Sequence, residues 1–207
     1  MLRRNFIQLT LALSVALNTS NTLASDDFGI VEGVHYKAVP KPHPSQQKTV
    51  TEIFYYGCSH CYHLEPSIKA WLKTKPKNIK FEQVPAVLNN PNWIFMARVY
   101  YTAKNLGILK QFHSAYFDAI QRDRKPIFTL NALADFVAPM GVKKEDYVSM
   151  FKSFKVDQDV QKARQLTEDY GIEGVPAIII NGRYITDVPM ATSRKKLWQV
   201  VNHLIQP

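Results

Sequence analysis

Apolar and polar residues follow two different rhythms along this chain, and the changes of rhythm mark its elements. From Thr49 to Tyr56 the run T-V-T-E-I-F-Y-Y is β-branched and aromatic, which predicts a strand. From Ser59 to Lys75 the apolar residues Tyr62, Leu64, Ile68, Trp71 and Leu72 fall at helical spacing. Pro66 lies inside that segment, removes a backbone donor and should kink the helix. Asn78 to Val84 returns to strand character through Ile79, Phe81 and Val84. A β-α-β order predicts two parallel strands joined by a right-handed crossover.

The next eighty residues read as helix almost throughout. The spacing predicts helices over Asn92–Leu106, Ile108–Ile120, Thr129–Ala138, Glu145–Phe154 and Asp157–Tyr170, with Thr129 and Asp157 as N-caps. Breaks fall at Gly107, Lys125-Pro126, Pro139-Met140-Gly141 and Gly171. Strand character then returns at Ala177–Ile180 and Arg183–Thr186, separated by Asn181-Gly182, a strong hairpin turn. Thr192 to Ile205 closes the chain as an amphipathic helix, and Val31 to Pro44 forms a proline-containing lead-in with a short edge strand. The order implies an α/β domain whose sheet is interrupted by a helical subdomain at about residues 88–170.

The first 24 residues change what must fold. Arg3 and Arg4, an apolar run from Phe6 to Leu17, and Thr22-Leu23-Ala24 before Ser25 have the arrangement of a secretory signal peptide. The run is shorter than the ~20 apolar residues a membrane anchor needs, and Arg3-Arg4 also resembles a twin-arginine signal. Residues 25–207 remain, enough for one domain with a substantial core. At 46% hydrophobic and 21% charged, the composition is that of an ordinary globular protein. The net charge of +9 is scattered along the chain, with Lys143-Lys144 and Lys195-Lys196 as short clusters. Nucleic-acid binding calls for a concentrated basic stripe, so none is expected here.

The chain has two cysteines, Cys58 and Cys61, inside Tyr-Gly-Cys-Ser-His-Cys-Tyr. They sit where the predicted strand gives way to the predicted helix. Such a pair can be a redox couple, half of a metal site, or a short structural bridge. A bridge closing so small a loop removes little entropy from the unfolded chain. Cys58, His60, Cys61 and His63 are all metal-capable, but on adjacent residues of one helix they cannot converge tetrahedrally, and no second cluster completes a site. For a redox pair the position is favourable. At a helix N-terminus the free N–H groups favour the Cys58 thiolate, and Cys61 lies one turn later, placed to attack a mixed disulfide. His60 between them adds positive character beside Cys58.

Two further places carry chemistry. Glu52 interrupts an otherwise buried strand, where a carboxylate is costly without a partner. Six residues before Cys58, it could lie behind the site and take a proton from Cys61; the alternative is a solvent-facing or edge position. Gly174-Val175-Pro176-Ala177 sets a proline directly before an apolar strand. A cis Val175–Pro176 bond would turn the backbone of Val175 toward a ligand.

Taken together, Glu52-Ile53-Phe54-Tyr55-Tyr56, Cys58-Ser59-His60-Cys61, Gly174-Val175-Pro176-Ala177 and Asn181-Gly182-Arg183-Tyr184 closely resemble the DsbA family of bacterial thiol:disulfide oxidoreductases. The resemblance extends over essentially the whole chain after residue 24. It implies a thioredoxin fold with an inserted helical subdomain, and a periplasmic enzyme that donates its Cys58–Cys61 disulfide to newly exported, reduced proteins. Cys58 would be the nucleophile and Cys61 the resolving thiol. Val175 and Pro176 would pair with substrate backbone, and Glu52 would match the family's buried acid. No cofactor beyond that disulfide and no metal is implied, and a DsbB-like membrane oxidase would restore the pair. Ser59 departs from the family's usual proline. Gly57 replaces an aromatic residue, which should open the surface beside Cys58. Rival readings are a disulfide isomerase or reductase, and a peptide- or metal-binding module with incidental cysteines. The short segment between Ser25 and Gln47 leaves no room for a dimerisation domain, so a monomer is expected.

Overall fold

A computed structural model describes residues 29–206, so the expected signal segment lies outside the described residues. The elements are β1 (Lys37–Ala38), β2 (Thr49–Phe54), α1 (Ser59–Thr74), β3 (Lys80–Pro85), α2 (Pro91–Asn105), α3 (Leu109–Phe117), α4 (Leu130–Val137), α5 (Lys144–Phe151), α6 (Phe154–Asp169), β4 (Ala177–Ile180), β5 (Tyr184–Thr186), α7 (Val188–Ala191) and α8 (Arg194–Ile205). The sheet order is β1-β5-β4-β2-β3. As predicted, β2 and β3 are parallel; β4 runs antiparallel to β2 and to β5.

The apolar pattern explains the layering. Side chains alternate across a strand, so a central strand covered on both faces must be apolar throughout. In β4, Ile178 and Ile180 pack with Leu64, Ile68 and Trp71 of α1 and with Leu197 and Val201 of α8. Ile179 faces the other way, into the core built on the helical block. Between α1 and α8 the indoles of Trp71 and Trp198 stack, with centroids 4.8 Å apart. Each indole N–H is satisfied across that interface, Trp71 by Asn202 and Trp198 by Ser67. Helix α1 runs through Pro66 as one continuous element.

Element boundaries differ from expectation where side chains override periodicity. Helix α6 begins earlier than predicted because Ser153, not Asp157, caps it, accepting from the Val156 N–H at 3.3 Å. Asp157 instead sits in the first turn and pairs with Arg98. Thr129 is the cap of α4, as expected. Helix α3 ends in a π-helical turn, Asp118–Arg122, where a continuous helix was predicted. The short helix α7 was not foreseen; Asp187 caps it and Pro189 lies in its first turn. None of the helices among the described residues is long and apolar enough to cross a membrane.

The hairpin turn also anchors the lead-in segment. Asn181 and Gly182 have φ of 52° and 62°, both left-handed, as a tight turn of this kind requires. A Cβ at Gly182 would fall 2.0 Å from the His43 carbonyl oxygen. That close approach lets His43 N–H donate to Gly182 O at 2.8 Å and draws the lead-in along the sheet edge.

Candidate active site

The turn between β2 and α1 presents the two cysteines differently. The Cys58 N–H donates to Tyr55 O at 3.0 Å, which closes the turn, and Cys58 is the N-cap residue of α1. Its side chain is half-buried, whereas Cys61 is fully buried in the core between sheet and helices. Both are free thiols in this structure. His60 and His63 are exposed while Cys61 turns inward, so these neighbours point apart.

Electrostatics separates the thiols further. Cys58 is lowered to about 6, first by the hydrogen bond from the Cys61 thiol, opposed by burial, then by the N–H groups of Cys61 and His60 and by the nearby His60 charge. His60 therefore acts more through its backbone than through its ring. Cys61 is raised, chiefly by burial, then by its bond to Cys58 and by the charges of Glu52 and Cys58. One thiol is disposed to be a thiolate at neutral pH, and its neighbour is disposed to keep its proton.

Val175 and Pro176 lie directly against Cys58. The Val175–Pro176 peptide is cis, and Cys58 Sγ is 3.4 Å from the Val175 carbonyl oxygen, to which the thiol donates when it is protonated. Around them is a hollow of about 460 Å³, which also takes in His60, Asp187, Pro189 and Thr192. The loop to α7 was not among the expected site elements. Its one sequence signal is the Asp-Val-Pro start of a capped helix.

Glu52 is fully buried and faces no edge. The register of β2 with β3 sets Gln83 directly beside it on the same face, and Gln83 Nε2 donates to Glu52 Oε2 at 2.8 Å. The same amide donates to Glu65 Oε1 at 3.0 Å. His113 Nε2 lies 3.1 Å from that Glu65 oxygen, and its Nδ1 lies 2.9 Å from the Tyr56 hydroxyl. Nε2–H donates to Glu65, and Nδ1 is paired with the Tyr56 hydroxyl. Burial pushes Glu52 up to about 8; the Glu65 charge and the Cys58 charge add to this, and the Gln83 bond opposes it. Burial would raise Glu65 too, but the His113 hydrogen bond and charge, with the Lys69 charge and the Gln83 hydrogen bond, together outweigh it and leave Glu65 below the ordinary carboxylate range. The two buried carboxyls thus separate into a neutral acid, Glu52, and an ionised one, Glu65. Oε1 of Glu52 is buried without a hydrogen-bond partner among the described residues.

A scan against family models matches the DSBA-like thioredoxin domain over residues 49–198, which includes the cysteine turn, the cis-proline loop and the intervening helices. The chain belongs to this family. It is 36% identical over 195 residues to the thiol:disulfide interchange protein DsbA of Azotobacter vinelandii, covering 92% of this chain and 90% of that one. The crystal structure of Pseudomonas aeruginosa DsbA superposes with a TM-score of 0.78 at 33% identity, covering 87% of this chain and 94% of that one. The Xylella fastidiosa oxidoreductase DsbA gives 0.78 at 31% identity, covering 84% and 95%. The chain is accordingly a thiol:disulfide oxidoreductase with the thioredoxin fold of the DsbA family.

Three members of the buried network escaped the sequence reading of this DsbA-family site. Glu65 lies in the apolar stripe of α1 with Cys61, Leu64 and Ile68, and a carboxylate in such a stripe is a legible signal. His113 lies likewise among Phe112, Tyr116 and Phe117 in α3. Gln83 gave no signal, because only strand register brings it to Glu52.

Gly57 is exposed and lines a hollow beside Cys58, and its missing side chain also makes room for a ring: a Cβ there would lie 2.3 Å from the Tyr55 ring. That ring stacks on Trp93 with centroids 4.0 Å apart and planes 13° from parallel. Gly57→Ala should therefore displace Tyr55 from Trp93, with a loss of about 1–2 kcal/mol in stability. A denaturant titration followed by tryptophan fluorescence reads both effects, and an unchanged native spectrum would contradict the contact. Ser59 is exposed at the helix start.

Proposed function

We propose that this chain is a periplasmic dithiol oxidase, with Cys58 as the sulfur that exchanges with substrate and Cys61 as the resolving sulfur. The observation that carries the reading is the contrast between a half-exposed Cys58 lowered to about 6 and a buried Cys61 that is raised. In the oxidised enzyme a substrate thiolate attacks Cys58 Sγ, the Cys58–Cys61 bond breaks, and a mixed disulfide forms. Cys61 leaves with the bonding pair and takes a proton. A second substrate thiolate then attacks the substrate sulfur of the mixed disulfide, and Cys58 departs as a thiolate. The substrate loses two electrons and gains a disulfide, and the enzyme pair gains those two electrons.

Each residue has a task in that sequence. A thiolate stabilised at Cys58 is a good leaving group and makes the reduced state favourable, which is what an oxidant needs. Cys61 is a poor leaving group as an anion, so it must be protonated as it leaves. Glu52, neutral up to about pH 8 and electrostatically coupled to Cys61, is suited to donate that proton and to take it back on reoxidation. The Val175 carbonyl and the hollow beside Pro176 would receive the backbone next to the substrate cysteine. His60 contributes an N–H and positive charge. The enzyme uses its redox-active disulfide in place of a cofactor, acts on protein thiols, and relies on a redox partner for reoxidation. We assign that partner to a DsbB-like membrane oxidase and the working form to a monomer, with residues 1–24 as the removed signal peptide and about 88–170 as the inserted helical subdomain.

Equilibration with glutathione tests the direction of the reaction. The couple should lie well above the about −270 mV of thioredoxin. A potential as reducing as thioredoxin's would favour the reductase reading instead.

A further inference from the structure

A second hollow begins at Gly57 and shares no lining residue with the one beside Pro176. It measures about 880 Å³ and runs from the cysteine turn across the helical block. Its apolar lining includes Tyr55, Phe95, Ile120 and Phe128, and two cations, Arg124 and Lys125, face into it. Among the described residues no carboxylate lines it. Phe128 is 51% exposed, a large aromatic surface left in water. Arg124 has φ of 52° and forms no ion pair among the described residues; the neighbouring Asp123 is taken by Arg122, with Lys125 at 3.6 Å.

We infer that this groove is a second substrate-docking surface, which takes the segment flanking a substrate's reactive cysteine and prefers an aromatic or large aliphatic residue together with carboxylates. The inference rests on Cys58 being the exchanging sulfur. Gly57 opens the groove one residue from that sulfur, so a chain held at Cys58 by a mixed disulfide has its neighbouring residues at the groove mouth. An extended chain advances about 3.3 Å per residue, so a few residues span the floor. The apolar floor has area to bury against a bulky side chain. Arg124 has no carboxylate partner among the described residues and Lys125 shares Asp123 with Arg122, so the pair keeps a net positive charge that complements an acidic segment and repels a basic one. The Pro176 hollow contains Asp187 as well as Arg194 and so lacks this one-sided charge. An unfolded, reduced, exported chain supplies apolar and acidic residues side by side in an accessible form.

Two cysteine peptides of equal length test this, one with Phe and two Glu beside the cysteine and the other with Phe and two Lys, each made with the pair on either flank. Single-turnover oxidation by the oxidised full chain is followed, and each rate is divided by that protein's own rate with glutathione, which is too small to span the groove. For at least one flank the Glu peptide should react about tenfold faster than the Lys peptide. Arg124→Glu with Lys125→Glu should reverse that order, and Phe128→Ala should slow both peptides about fivefold. Lys73→Glu with Lys77→Glu, near the far end of α1, makes the same change in net charge and should leave the order intact, which separates the groove from the general field of a basic protein. A Glu-to-Lys ratio insensitive to the Arg124 and Lys125 reversal overturns the proposal. So does a concentration-dependent dimer abolished by that reversal while peptide rates stay the same, because the groove would then seat a second copy. Failure of the wild-type chain to react with glutathione would refute the role of Cys58 instead.

Discussion

Cys58→Ser should reduce oxidation of a dithiol substrate to the uncatalysed background, a loss of at least about 10³-fold. The serine hydroxyl cannot form a disulfide, and no other thiol in the chain can replace it: Cys61 is buried and raised by burial. Cys61→Ala should behave differently. Its remaining thiol keeps the N–H groups of the Cys61 and His60 backbone and the His60 charge, which still favour the thiolate. Loss of the Cys61 hydrogen bond, the largest lowering influence, will raise that thiol somewhat. Such a variant attacks disulfides but has no second sulfur to release them, so mixed disulfides should accumulate and disappear on reduction. Non-reducing gels of the two variants with a disulfide-bonded substrate provide the measurement. Adducts with Cys58→Ser, or none with Cys61→Ala, would exchange or abolish the assigned roles.

Glu52→Gln should stabilise the protein at alkaline pH while slowing its chemistry. The folded-state value of about 8 lies above the ordinary 4.5, so folding favours the protonated carboxyl. That contribution to stability is whole below about pH 4.5 and is lost as pH rises through 8. Glutamine is isosteric with the protonated acid and carries no charge. The variant should match the parent near pH 4 and exceed it near pH 9 by an amount on the order of 4 kcal/mol. The oxidised protein is the proper sample, because in the reduced one the lowered Cys58 has the opposite slope: its contribution is present above 9 and is lost as pH falls through about 6. Denaturant unfolding across pH 4–9 gives the comparison. Parallel curves for parent and variant would mean that Glu52 is ionised in the fold. Loss of the proton donor to Cys61 should also slow mixed-disulfide formation by about 10²-fold, most clearly below pH 8.

Glu52 shows how far sequence reading reaches at this site. A carboxylate six residues before Cys58, in a run of β-branched and aromatic residues, marks it as a buried acid with a task. The neighbours that set its charge could not be read in the same way. Gln83 is an ordinary polar residue until β2 and β3 pair in register, and His113 comes from α3, far along the chain. Those contacts place an ionised Glu65 near Glu52 and thereby help to keep Glu52 neutral. Gly57 was legible in part: the surface beside Cys58 is open as its missing side chain suggests, but that the ring of Tyr55 packs close against it and stacks on Trp93 of α2 depends on the tertiary contact.

By itself the sequence determined the local chemistry and the order of elements. A C-x-x-C at a strand-to-helix junction, a Val-Pro before an apolar strand, a hairpin turn and periodicities of two and near four all act over a few residues, and local sterics and hydrogen bonding decide them. Only the tertiary structure decided how deeply Cys61 is buried and which charges surround it. It also set the Val175 carbonyl 3.4 Å from Cys58 Sγ across 117 residues of chain. Burial, long-range charge and groove shape depend on elements far apart in sequence packing together, and no local pattern encodes them.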